Sequence, residues 1–378
     1  MSAEQIKKKK AKTGEKAQKK KPAEKLVLAP SQSLQEEAVS YPAAKLKICV
    51  IGAGAIGGVV AAYLRKTLRN VYLVGKSEQV RTIRMNGLRI AGAKGNLFLE
   101  MPAKDRMDTA ADLVILAVKT QDIKEVIAQN RAYLKDALIL TTQNGVRAEK
   151  IIAQELGEHN IVASIVMFGS TYEKPGIISY NFEGDWIIGR AFGPNDEKIK
   201  ELSEELAPAF KMTVVDNILA MKWTKLFVNA NNCIPALIGK SMQETFADID
   251  MAKISIRLLQ ECFAIADDNK IVLADMPNFE VAKFRGLTQM PLDEAAKIFS
   301  GIMVNLSKEP LYGSILQSIK RNRPSEIDYL NGEFIKMSRF GRVGAVLNTK
   351  LVNLVHELEK TKKFLSNEEL RQKCSIGE

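Results

Sequence analysis

The chain has 378 residues, 46% of them hydrophobic, with four cysteines and a formal net charge of +11. That length supports two domains with substantial cores. No apolar run approaches the ~20 residues that span a bilayer, and the N-terminus lacks a signal-type apolar segment, so a cytoplasmic protein is expected. Cys49, Cys233, Cys262 and Cys374 form no C-x-x-C pair, which argues against a disulfide framework and a zinc cluster. With His159 and His356 as the only histidines, chemistry built on a histidine relay is not expected.

Residues 1–44 hold ten lysines against five glutamates, +5 of the total charge. Poor in aromatics and without apolar periodicity, they are expected to form a disordered lysine-rich tail. The charge therefore requires no nucleic-acid partner.

Order begins at "KLKICVIGAGAIGGVVAAYLRK". Ile48–Ile51 read as a strand, and Gly52, Gly54 and Gly57 complete G-x-G-x-x-G as a helix opens, the context in which this pattern cradles a pyrophosphate. Ala55 and Ile56, between the second and third glycines, join them as candidate cofactor-binding residues. After the next strand, "NVYLVGK", Lys76 stands where NAD-binding versions place an acidic residue, so NADPH is the expected cofactor. Strands at "ADLVILAVK" (111–119) and "ALILTTQNG" (137–145), separated by the helical "DIKEVIAQNRAYL", imply a parallel doubly wound sheet. Lys119, Thr120 and Gln121, then Gln143, Asn144 and Gly145, fall at the carboxyl ends of those strands, where such sheets bind ligands.

A further strand is expected at "GDWIIG" (184–189), and from about residue 216 the pattern becomes helical. The fold class expected is α/β: an N-terminal Rossmann-type sheet over 45–213, a mostly α-helical domain over 214–364, and a polar tail over 365–378. The stretch "MKWTKLFVNANNC" (221–233) reads as one helix. Trp223, Leu226, Phe227 and Ala230 lie on an apolar face, with Lys225, Asn229, Asn232 and Cys233 in a polar stripe beside it.

"KICVIGAGAIGG", "LAVKTQD", "TQNGV", "WTKLFVNA" and "SEIDYLNGEFI", in this order from about Lys45 to Lys363, resemble the 2-dehydropantoate 2-reductases, or ketopantoate reductases. The resemblance implies NADPH-dependent reduction of ketopantoate to pantoate in pantothenate and coenzyme A biosynthesis. It makes Lys225 the catalytic lysine and Glu326 the glutamate beside the substrate. Asn229 and Ser314 become substrate contacts, Lys119 and Asn144 contacts on the nicotinamide side, and Lys76 the contact to the 2′-phosphate. Cys233 replaces a second substrate-side asparagine, and Ser318 an acidic residue. These two departures leave open a related reductase of another branched or aromatic 2-oxo acid. A non-catalytic NADPH-binding protein is the less favoured alternative. The expected partner is a small-molecule 2-oxo acid, with no membrane and no metal; a homodimer is compatible with the sequence.

With histidine scarce, Lys225 is the expected proton donor, its acidity raised by desolvation in a closed cleft or by a neighbouring cation such as Lys222.

Overall fold

The computed structural model describes residues 46–374 apart from residues 69, 278 and 308. The lysine-rich tail expected over 1–44 lies outside the described residues.

Among the described residues, twelve short strands form two sheets. They are β1 (Ile48–Ile51), β2 (Val71–Val74), β3 (Leu88–Gly92), β4 (Leu97–Leu99), β5 (Ala103–Lys104), β6 (Leu113–Leu116), β7 (Leu138–Thr141), β8 (Ile161–Val166), β9 (Gly169–Lys174), β10 (Ile177–Phe182), β11 (Trp186–Arg190) and β12 (Met212–Val214). The main sheet runs β12-β11-β8-β7-β6-β1-β2-β5, parallel from β5 to β8, with β11 antiparallel to β8. Its central strands are apolar throughout, as sheets covered on both faces require. The order reverses at β1, between β2 and β6, which is the switch point where doubly wound sheets take ligands.

The second sheet, β4-β3-β10-β9, was not anticipated from the sequence. It packs on the helix Ala55–Thr67, whose residues Gly57–Leu64 are all buried. A helix enclosed on every side must be apolar on every side, and "GGVVAAYL" is. The contact is close: a Cβ on Gly58 would stand 2.0 Å from the Ile178 side chain.

From Ile218 the chain is helical among the described residues. The 20-residue helix Ile249–Asp268 runs through the core of this lobe, where Phe227, Phe263 and Phe334 meet with ring centroids 4.6 and 5.1 Å apart. Residues 365–374, expected as tail, pack instead: the helix Asn367–Cys374 buries Leu370 and Cys374 in this core. The expected helix over 221–233 is also corrected. It spans Ile218–Ala230, capped by the Asn217 side chain, and a new helix starts at Cys233.

The glycine turn at β1 is fixed by backbone geometry. Gly52 has φ +121°, and a Cβ on Gly57 would sit 1.9 Å from the Gly52 carbonyl oxygen. Gly57→Ala is expected to destabilise the fold by about 2–3 kcal/mol, whereas Gly54→Ala, whose Cβ would meet nothing within 4 Å, should leave the urea midpoint unchanged.

Candidate active site

The carboxyl ends of β1, β2, β6, β7 and β8 open onto one cleft of about 2280 Å³, closed on its far side by the helical lobe. Lys225, Asn229, Ser314, Glu326, Gly52, Gly54, Ala55, Ile56, Lys76, Lys119 and Asn144 all line it. Cys233 does not. The helix break at Asn231–Asn232 turns Cys233 into the core, where it is wholly buried and its thiol donates to the Ala230 carbonyl. Asn232 takes the cleft position instead.

At the nucleotide end, Gly54 caps the helix Ala55–Thr67 without a side-chain hydrogen bond, and its first turn carries no acidic residue. The first-turn amides therefore point at an anion site. The open space where a Gly54 Cβ would stand fits a dinucleotide pressed against the backbone. Gln79 braces the turn, donating to the Ala53 carbonyl at 2.9 Å and to the Tyr172 hydroxyl at 3.1 Å. Lys76 is exposed at the end of β2, at the start of the helix Ser77–Asn86.

At the chemical end, the Lys225 Nζ donates to the Val166 carbonyl at 2.5 Å. Desolvation in the cleft, aided by the Lys222 cation, pulls its pKa from the ordinary 10.5 down to about 7. Lys222 itself is buried, donating to Glu149 Oε1 at 2.5 Å and to the Gln143 carbonyl at 3.2 Å. Thr141 also donates to that carboxylate at 2.6 Å. Glu149 was missed in the sequence because an acid in a helix's first turn reads as ordinary compensation of the helix dipole.

Seven hydrogen bonds bring the remaining candidates together. The Asn229 amide reaches Asn144 Oδ1 at 3.5 Å, and Asn232 reaches Asn229 Oδ1 at 3.4 Å. Glu326 Oε1 accepts from both the backbone N–H and the hydroxyl of Thr120, each at 3.0 Å. Its carboxylate is therefore held across the cleft rather than capping a surface helix. Lys119 donates to the Ser318 hydroxyl at 2.8 Å and to the Pro324 carbonyl, and Ser318 passes on a hydrogen bond to the Ser314 carbonyl at 2.9 Å. Burial lowers the Lys119 pKa, against the opposing pull of Glu326.

Breaking a buried ion pair costs about 3–5 kcal/mol because it leaves one charge uncompensated. Lys222→Met and Glu149→Gln should each lower stability by that amount in urea unfolding, and the double variant should recover a large part of the loss.

Such an arrangement suits a dinucleotide held at the switch point with an acidic ammonium beside its far end. The family described as "Ketopantoate reductase PanE/ApbA" matches residues 48–192, and "Ketopantoate reductase PanE/ApbA C terminal" matches residues 217–359. The chain is 29% identical over 317 residues to the 2-dehydropantoate 2-reductase of Pyrococcus horikoshii, covering 83% of this chain and 98% of that one. It is 25% identical over 316 residues to that of Archaeoglobus fulgidus, with coverage of 83% and 98%. Among solved structures, D-mandelate dehydrogenase with NADH and anilino(oxo)acetate superposes with a TM-score of 0.73 at 22% identity, over 83% of this chain and 98% of that one. A PanE/ApbA family ketopantoate reductase from Ralstonia eutropha gives 0.71 at 23% identity, over 83% and 99%. With both halves matched in order along most of its length, the chain belongs to the ketopantoate reductase family and is an oxidoreductase of the 2-dehydropantoate 2-reductase type.

Proposed function

We propose that the protein reduces ketopantoate to pantoate with NADPH, in the route to pantothenate and coenzyme A. The observation that carries this reading is Lys225: a desolvated ammonium at the carboxyl edge of β8, with a pKa of about 7, in the cleft that also holds the glycine turn. When bound, the nicotinamide supplies the hydride. Charge then builds on the ketone oxygen, and Lys225 gives it a proton within hydrogen-bond reach. Asn229, held by Asn144 and Asn232, binds a substrate oxygen without adding charge. Ser314 donates to the carboxylate, and Glu326 orients the substrate hydroxyl. Lys119 and Asn144 face the nicotinamide side, and Lys76 favours a 2′-phosphate.

Since the ammonium form is the acid, reduction should be fast below pH 7 and fall as pH rises through about 7, where Lys225 loses its proton. Lys225→Ala should lower kcat by about 10²–10⁴-fold. Steady-state assays of ketopantoate with NADPH check both; turnover of other 2-oxo acids with none of ketopantoate would sink the substrate assignment. Lys76→Glu should raise the KM for NADPH with little effect on that for NADH.

One observation favours a second reading, a larger apolar 2-oxo acid. Val228, Ile298, Ile302 and Leu306 line the cleft yet stay 38, 44, 54 and 51% exposed, an apolar wall broader than ketopantoate covers. A panel of branched and aromatic 2-oxo acids decides between the readings: higher kcat/KM for the aromatic members selects the second, and for ketopantoate the first.

A further inference from the structure

The helix Ser314–Lys320 ends at Arg321, a half-buried residue that lines the cleft from the helical lobe. Its Nε donates to the Gln317 carbonyl at 2.9 Å, and its guanidinium carbon lies 5.7 Å from the centre of the Tyr172 ring. The two terminal nitrogens have no hydrogen-bond or ion-pair partner among the described residues. Burial and the neighbouring Arg323 lower its pKa against the weaker opposing pulls of Tyr172 and Glu173, as for a cation held partly out of water with no direct ion pair.

Tyr172 fixes where this cation stands. Its hydroxyl is bound to Gln79, which in turn holds the Ala53 carbonyl inside the glycine turn. Arg321 thus faces that turn from the opposite lobe. The other cations of the cleft are engaged or placed elsewhere. Lys119 is tied to Ser318 and Pro324, Lys225 to Val166 and Lys283 to Glu280, while Lys76 beyond β2 and Arg323, which also lines the cleft, are exposed, unlike the half-buried Arg321. A helix N-terminus offers only about half an elementary charge, and a pyrophosphate carries two negative charges.

We propose that Arg321 holds the pyrophosphate of the dinucleotide against the Gly52–Ile56 turn from the opposite lobe. The inference rests on a dinucleotide occupying the cleft, and not on which 2-oxo acid is reduced. Two terminal N–H groups on adjacent nitrogens match two oxygens of one phosphate or one from each.

The test is equilibrium binding to the full chain of NADPH, of ADP-ribose as a probe with the pyrophosphate but no nicotinamide, and of 2′-AMP as a probe without the pyrophosphate. Arg321→Met should weaken NADPH and ADP-ribose by about tenfold or more, leave 2′-AMP unchanged, and leave the KM of the 2-oxo acid at saturating NADPH unchanged. Arg321→Lys, which keeps the charge and guards against a folding defect, should recover part of the loss. Unchanged affinity for NADPH and ADP-ribose in both variants overturns the proposal. So does a raised KM for the 2-oxo acid with NADPH affinity intact, which would assign Arg321 to the substrate carboxylate. A wild-type chain that binds NADPH and ADP-ribose but reduces no 2-oxo acid would sink the proposed reaction and leave the Arg321 assignment standing on its own binding data.

Discussion

The arrangement of the site depends on one buried ion pair, Lys222 with Glu149, at the seam where the first helix of the helical lobe meets the helix Ala148–Leu156 that follows β7. Lys222 also binds the Gln143 carbonyl, and the Gln143 amide reaches back to the carbonyls of Leu116 and Val118. Two strand ends and two helices are thereby locked in one register. Lys225 and Asn229 follow along the same helix, so their distance from Asn144 is set by this pair. The pair is also electrostatic in its effect: it places a second cation next to Lys225 in a medium of low polarizability, while Glu149 keeps that cation tolerable inside the protein.

Around this anchor the cleft separates into regions of different chemistry. The glycine turn offers backbone amides, the middle offers amides and hydroxyls around one acidic ammonium with Lys119 and Glu326 beside them, and the far wall is apolar. A ligand that spans all three must carry phosphate at one end and hydrocarbon at the other. Donors already oriented in the middle suit chemistry in which charge builds as bonds change, because they need not reorganise when it does.

Much of the Rossmann half was legible in the sequence, because its signals are local. "ICVIGAGAIGG" is a strand, turn and helix in contiguous residues, and Lys119 and Asn144 lie just beyond apolar runs. The second sheet was not, since β3 and β10 pair across more than eighty residues and neither shows strong alternation. Lys225 and Asn229 were legible from helical spacing plus a family resemblance. Cys233 was misplaced because helical spacing was extended through Asn231–Asn232, where the helix stops. Glu149 and Arg321 carry no local mark at all: one looks like a dipole-compensating acid, the other like a surface cation, and only long-range packing gives either a partner to face.

Lys119 and Glu326 sit at the closure of the two lobes, and each crosses to neutral atoms. The lysine meets a hydroxyl and a carbonyl, and the glutamate a hydroxyl and an amide. A latch of this kind is directional and short-ranged, so dissolved ions that weaken pairs of opposite charge scarcely loosen it. Among the described residues neither group has spent its charge on a direct ion pair. The clasp therefore also leaves a positive and a negative pole on the lining of the cleft, so that ionic strength would govern how a charged ligand arrives far more than how the jaws close.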